Sequence, residues 1–261
     1  MNSSTVVLIT GSAKRLGRAI ALHLARQGHA IALHYRQSAT EAEALLTEIR
    51  ALGVPAAAFA ADLADEAACE ALVPAVLAHF GRLDALVNNA SLFEYDDVQA
   101  FSFAQMEAHW RANTAAPIVL SRALHRHALE RQQPACVINL LDQKLWNPNP
   151  DYLSYTLSKA ALESANTLLA QALAPWLRVC GVAPGVTLPS GPMSEGEFNA
   201  AHGLTPLQRS STPEDIARSV AFLIDSPAIT GTTLLVDGGQ HLAGQARDVM
   251  FLVPPSPEKA L

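Results

Sequence analysis

Thr5-Val-Val-Leu-Ile9 leads without a break into Thr10-Gly11-Ser12-Ala13-Lys14-Arg15-Leu16-Gly17-Arg18, and a helical pattern then continues to about Gln27. The opening run is apolar or β-branched without alternation, which describes a strand buried on both faces of a parallel sheet. A glycine turn between such a strand and a helix is the context in which a helix N-terminus receives a pyrophosphate. The central glycine of the usual three is absent, and Arg15 holds its place. Gly11, Lys14, Arg15, Leu16 and Gly17 therefore suit phosphates, although a glycine-poor turn also serves as a plain strand-to-helix connection.

Moving outward, Ala30-Ile-Ala-Leu33 is the second strand and ends in His34-Tyr35-Arg36-Gln37-Ser38. Dinucleotide-binding sheets place an Asp or Glu here against the ribose 2′-hydroxyl. No acid occurs before Glu41, so Arg36, with Ser38 hydrogen-bonding, would hold a 2′-phosphate. The cofactor reads as NADPH over NADH unless Arg36 is only a solvated loop charge. Helix 40–52 and a short strand at 56–59 lead to Asp62-Leu63. Asp62 either meets an adenine amino group or caps the following helix, 66–79. Leu83-Asp-Ala-Leu-Val87 is the fourth strand, closed by Asn88-Asn89-Ala90-Ser91, whose small and polar side chains let backbone approach a ligand. Leu92-Phe93-Glu94-Tyr95 follows as an aromatic loop at the same sheet edge. A helix over 103–131 carries Asn113 at its middle, a poor helix former whose amide is either exposed or bonded to something buried.

Val137-Ile-Asn-Leu-Leu141 is the fifth strand, and a Pro/Asn-rich loop from Asp142 leads into a helix over about 152–173. Tyr155 and Lys159 are four residues apart, so on a helix they share one face. An ammonium held near a phenol favours the phenolate and lowers its pKa, which makes Tyr155 a candidate proton donor in a reduction. Asp142 stands at the end of a strand, where open α/β sheets place their ligands. After a sixth strand at 177–182, Pro184-Gly185-Val-Thr187 begins a Pro/Gly-rich stretch. Residues 186–212 read as a long irregular substrate loop. Thr212-Pro213-Glu214-Asp215 opens another helix with a cap and Pro at its first position. Thr233-Leu-Leu-Val236 is a seventh strand, and residues 241–261 read as a tail. Strands alternate with helices, and no repeat or linker divides residues 1–261, so one α/β domain is expected.

Half of the 261 residues are hydrophobic and 16% are charged, enough for a sizeable core. The formal net charge is −6 and no Lys/Arg-rich run stands out, which argues against a nucleic-acid partner. Cys69, Cys136 and Cys180 are scattered without CxxC spacing, as reduced core residues of a cytoplasmic protein would be. The nine histidines form no HxxxH or HExxH pair, and His125-x-His127 has the wrong spacing for one helical face, so no metal is expected. Met1-Asn-Ser-Ser-Thr lacks the basic region of a secretory signal, and no apolar stretch is long enough to span a bilayer, so no membrane partner is expected.

Taken in order, Thr10-Gly11…Gly17, Asn88-Asn89-Ala90, Asn113, Tyr155-x-x-x-Lys159, Pro184-Gly185 and Asp237-Gly238-Gly239 resemble the short-chain dehydrogenase/reductase family over residues 5–240. The resemblance implies a Rossmann-type doubly wound parallel sheet of about seven strands, a nicotinamide cofactor and a homotetramer. It also implies that Lys159 binds ribose hydroxyls, that Asn113 orders a water in the proton path, and that His34, Tyr35, Asp62, Leu63, Asn89, Ala90, Pro184, Gly185 and Thr187 lie along the cofactor. Two departures stand out. The family has Ser where Asp142 stands, and Gly where Arg15 and Ser91 stand. With His34-Tyr35-Arg36-x-Ser38 and Ser91-x-Phe93, these departures resemble the pteridine reductase branch, which reduces pterins or folates with NADPH. By that similarity Phe93 stacks on the pterin opposite the nicotinamide, with Ser91 and Arg15 near substrate and phosphates. From chemistry alone, Phe93 could equally pack a lid.

Asp142 supports that branch on physical grounds. A Ser hydroxyl donates to a ketone oxygen as it becomes an alkoxide, whereas a carboxylate would repel that developing charge in a low-dielectric site. A C=N bond differs, because its nitrogen must gain a proton as carbon takes hydride. A carboxyl hydrogen-bonded to Tyr155 can support that delivery. The alternative is that Asp142 merely caps the loop and the site takes carbonyls. The expected activity is thus NADPH-dependent reduction of a pterin-type C=N bond. Its rivals are a carbonyl or 3-oxoacyl reductase and, in another class, a catalytically silent cofactor-sensing protein.

Overall fold

Val6–Ile9 (β1) is the third strand across a seven-stranded parallel sheet. The computed structural model describes residues 5–189 and 193–253. The other strands are Ala30–Tyr35 (β2), Ala56–Ala60 (β3), Ala85–Asn88 (β4), Ala135–Leu140 (β5), Leu177–Pro184 (β6) and Thr233–Val236 (β7), in the spatial order β3-β2-β1-β4-β5-β6-β7. Every neighbouring pair is parallel, in register from Val6 opposite Ala30 on one side of β1 to Val7 opposite Ala85 on the other. Strand order reverses between β1 and β4, and such a switch opens a crevice beyond the carboxyl ends of the strands.

The period-2 side-chain alternation of β1 explains its unbroken apolar sequence. Val7 and Ile9 pack into one layer with Ile20 and Leu24 of helix α1 (Arg15–Arg26) and with Ile216 and Val220 of α8 (Pro213–Ile224). Val6 and Leu8 pack into the opposite layer with Leu72 and Val76 of α3 (Glu66–Phe80) and with Leu120 and Leu124 of α5 (Ala116–Arg131). Full burial of each such side chain contributes about 1.5–3 kcal/mol. The free cysteines divide between these layers, with Cys136 and Cys180 in the first and Cys69 in the second. Helix α2 (Ala39–Ala51) follows β2. No helix among the described residues is long and apolar enough to cross a membrane.

Three stretches differ from the sequence reading. The helix expected over 103–131 is α4 (Phe103–Trp110), a π turn at Arg111–Ala115, and α5. The wide turn falls on Asn113, which is fully buried, and π turns often mark functional positions. Within the stretch expected to be irregular over 186–212, Glu195–Gly203 forms α7. Ser194 and Glu197 cap its start reciprocally, a box that outweighs the local glycines. Residues 190–192 of that stretch lie outside the described residues. The described part of the expected tail over 241–261 folds back over the 142–152 loop through 3₁₀ turns at Gln240–Leu242 and Val249–Phe251, held by long-range ion pairs. Residues 254–261 lie outside the described residues.

Candidate active site

The crevice holds a cavity of about 940 Å³ at the carboxyl ends of the central strands. At one end the Thr10 and Asn89 side chains lace the β1 turn to the β4 turn. Thr10 Oγ1 accepts from the N–H groups of Asn89 (2.9 Å) and Ala90 (3.0 Å), and the Asn89 amide donates to the carbonyls of Thr10 (2.8 Å) and Gly11 (3.1 Å). A Cβ on Gly17 would lie 2.5 Å from the Gly11 oxygen and 2.6 Å from Asn89 Nδ2, so no side chain fits. Arg15 takes the left-handed backbone (φ 52°) that a glycine adopts freely, at a cost of about 1 kcal/mol. Its guanidinium reaches across the cavity mouth to the Pro189 carbonyl (2.8 Å). Helix α1 begins without a side-chain cap, so its first N–H groups are left beside the cavity.

His34 is buried, accepts the Gly11 N–H at Nδ1 (3.0 Å) and faces the Ala61 carbonyl with Nε2 (3.1 Å). These partners assign the proton to Nε2, and burial holds the imidazole below its ordinary pKa. His34 is thus a neutral brace under the glycine turn. Tyr35, Arg36, Ser38, Asp62 and Leu63 border the cavity. Arg36 is exposed, and among the described residues no carboxylate pairs with it, whereas Lys14 pairs with Glu41 (2.6 Å). Asp62 accepts from Ala64 N–H (3.0 Å), and the cap of α3 is instead Asp65, so the capping alternative for Asp62 falls. Pro184 ends β6. A Cβ on Gly185 would meet Ser210 Oγ at 2.7 Å, and Thr187 Oγ1 donates back to the Gly185 carbonyl (2.9 Å).

At the other end, helix α6 (Leu153–Ala172) carries Tyr155 and Lys159 on one buried face. The Tyr155 hydroxyl donates to Asp142 Oδ2 (2.8 Å), while Asp142 Oδ1 accepts the Lys144 N–H (2.8 Å) and caps the 3₁₀ turn Gln143–Trp146. The loop-capping and proton-facing readings of Asp142 therefore hold together, one oxygen for each. Burial raises the carboxyl above the usual carboxylate range, against the opposing hydrogen bonds from Lys144 and Tyr155. Tyr155 stands well above an ordinary phenol, pushed first by burial and then by the Asp142 charge and hydrogen bond. This corrects the expectation that Lys159 depresses it. The Lys159 ammonium donates to the Leu140 carbonyl (2.7 Å), lies 5.9 Å from the Tyr155 ring centre, and is itself lowered to about 8 by burial.

Asn113 is buried, and its amide is bonded rather than exposed. Its oxygen accepts from Leu92 N–H (2.7 Å) and Ser91 Oγ (3.2 Å), and its amide donates to the Leu92 carbonyl (2.9 Å) and Ser158 Oγ (3.0 Å). Through these bonds the side chain braces the loop. Phe93 borders the cavity, stacked on Tyr152 (4.3 Å between ring centres, 15°) and edge-on to Tyr155 (4.7 Å).

Sequence reasoning missed the remaining wall. Lys144 is buried and donates to the Asp151 carbonyl (2.6 Å) and to Asp248 (3.3 Å). Arg247 grips Asp151 with both forks, and the Tyr152 hydroxyl donates to Met250 Sδ (3.3 Å). Asp248, Val249 and Met250 thereby line the cavity. The one available clue was the apolar run Met250-Phe251-Leu252-Val253 in an otherwise Pro-rich terminus. Among the described residues no group of His, Cys, Asp and Glu could hold a metal ion.

A glycine turn after the first strand of a doubly wound sheet, with a Tyr/Lys pair across the switch-point crevice, defines a dinucleotide-type oxidoreductase. A family model described as enoyl-(acyl carrier protein) reductase matches residues 11–241, and the chain belongs to the short-chain dehydrogenase/reductase family. A crystal structure of FolM alternative dihydrofolate reductase 1 from Brucella canis, complexed with NADP, is 38% identical, with TM-score 0.88 over 94% of this chain and 96% of that one. Pteridine reductase 1 of Leishmania tarentolae is 32% identical over 92% of this chain and 97% of its own length. The 3-oxoacyl-[acyl-carrier-protein] reductase FabG of Staphylococcus aureus is also 32% identical, over 93% and 100%.

Proposed function

We propose that this oxidoreductase reduces a C=N bond of a dihydropterin- or dihydrofolate-type substrate with NADPH. The observation that carries the proposal is the Tyr155 hydroxyl resting on a buried carboxyl, Asp142, at the cavity wall beside Phe93. The other end of the crevice fits the cofactor: the start of α1 is uncapped, Gly17 leaves room only for backbone, and the exposed Arg36 suits a 2′-phosphate. Bound there, NADPH would supply the hydride.

The residues do the rest. Phe93 offers a ring face to a planar heterocycle. Tyr155, which holds its proton firmly, is protonated at neutral pH and gives that proton to the ring nitrogen as the adjacent carbon gains hydride. Asp142, raised by burial, accepts the hydrogen bond from Tyr155 and supports its reprotonation. A negative charge there suits a nitrogen that becomes N–H and opposes an oxygen that becomes an alkoxide. Lys159 would hold ribose hydroxyls. The FolM and pteridine reductase relatives support this reading, and the FabG relative favours a carbonyl or 3-oxoacyl reductase as the second. We also propose a homotetramer, supported by apolar side chains such as Phe103 and Leu168 left exposed on α4 and α6.

Purified protein supplied with NADPH is expected to turn over dihydrobiopterin or dihydrofolate. Turnover confined to a 3-oxoacyl thioester or simple ketones overturns the proposal, and Asp142→Ser is expected to lose the pterin activity first.

A further inference from the structure

We infer that Asp96 is a positioning residue that fastens the loop bearing Phe93 onto the start of the helix bearing Tyr155, so that ring face and proton donor are held as one rigid body. The inference rests on the reading above in giving Phe93 a substrate to face.

Helix α6 does not cap itself. Its N-cap residue, Tyr152, is left-handed (φ 54°) and makes no side-chain capping bond. The cap comes from a residue far away in sequence. Asp96 Oδ1 accepts the Ser154 N–H (2.9 Å), Oδ2 accepts from the Ser154 hydroxyl, and the Asp96 carbonyl accepts the Leu153 N–H (3.3 Å). Asp96 is 1% exposed and Ser154 is fully buried. Among the described residues no Lys, Arg or His pairs with this carboxylate. A buried charge is costly unless strongly hydrogen-bonded, and here helix N–H groups and their dipole compensate it. Ser or Asn placed within the helix's own start would cap it without burying a charge. Drawing the cap from the loop therefore does something more, which is to join two segments.

The second attachment lies one turn along the same helix. Asn113 clamps both backbone groups of Leu92 and donates to Ser158 Oγ, which in turn donates to the Tyr155 carbonyl (2.7 Å). The loop is thus tied at Leu92 and at Asp96 to positions 158 and 154, with Tyr155 between them. Phe93 stands between its two ties, stacked on Tyr152 and edge-on to Tyr155. Releasing Asp96 leaves Phe93 free to tilt against the hydroxyl that must meet the same substrate.

The test is a double-mutant cycle of Asp96→Ala with Phe93→Ala, read as kcat/KM for dihydrobiopterin and as the NADPH dissociation constant. Asp96→Ala is expected to lower kcat/KM about 10- to 100-fold with NADPH affinity unchanged, since a misplacement of about 1 Å has effects of that order. Asp96→Asn, which keeps an acceptor for Ser154 N–H, should recover all but about 3-fold. With Phe93 already Ala, Asp96→Ala should lose less than about 3-fold more, because the group it positions is gone. Losses that multiply independently, or NADPH binding that weakens in parallel, overturn the inference. If Asp96→Ala does not fold, Ser154→Ala takes its place in the cycle with the same two outcomes. If the wild type reduces only ketones, the functional proposal fails, yet the cycle run on the ketone still decides: coupling supports the role of Asp96 and additivity overturns it.

Discussion

The two ends of the crevice are built by different means. At the phosphate end, only the Thr10 hydroxyl and the Asn89 amide reach across, each to main-chain atoms of the facing turn, and glycines set the clearances. At the substrate end, the walls are side chains brought from four distant places: the 92–96 loop, the 142–146 turn, the start of α6 and the 243–253 return. Two short side chains tied to main chain, packed against glycines that admit no Cβ, leave few substitutable parts and suit a ligand that does not change. A wall of side-chain contacts can be altered one residue at a time, so selectivity belongs at that end.

The largest expected effect tests the chemistry where the ends meet. Tyr155→Phe should lower turnover by about 10²–10⁴-fold, the usual worth of a general acid, with NADPH binding unchanged in a fluorescence titration. Surviving activity would move proton delivery to another group. Next comes the phosphate end. Gly17→Ala is expected to weaken NADPH by roughly 10- to 100-fold, the equivalent of about 1–3 kcal/mol of overpacking against Gly11 and Asn89. A normal dissociation constant would show that the lacing yields. Arg36→Ala is smaller, about 10-fold against NADPH and none against NADH, as for one charge-assisted hydrogen bond. Equal losses for both cofactors would remove the 2′-phosphate from the argument. Smallest is Arg247→Ala in the return segment. Because its side chain is 48% exposed, solvent screens the ion pair with Asp151, and only an about 2- to 3-fold rise in KM for the pterin is expected at unchanged NADPH affinity. A larger effect on NADPH than on substrate would erase the contrast between the ends.

The same contrast decides what was legible in the sequence. The phosphate end is local: strand, turn and helix are contiguous, so Gly11, Gly17 and the continuous apolar run of β1 carried their own meaning. Tyr155 and Lys159 were legible because helical periodicity puts them on one face. Their electrostatics were not, since burial and the Asp142 carboxyl act across the fold and outweigh the ammonium. The π turn at Asn113 and the four bonds of its amide also arise from tertiary contacts that override a helical pattern. Helix α7 was hidden by neighbouring Gly and Pro, although Ser194-x-x-Glu197 was there to be read. The return segment left almost no trace, because Lys144 and Arg247 find partners about a hundred residues away, and no spacing rule covers that distance.

The placement of the three thiols has a use. Burial pushes Cys136 up to about 12 and Cys69 up to about 11, and it raises Cys180 as well, so almost no thiolate exists at neutral pH in the folded state. Alkylating reagents should therefore modify each sulfur only when the layer around it opens. Cys69 sits on one side of the sheet and Cys136 and Cys180 on the other, so peptide-resolved labelling would time the loosening of the two faces separately. The chain carries its own pair of built-in clocks for local opening, without an engineered probe.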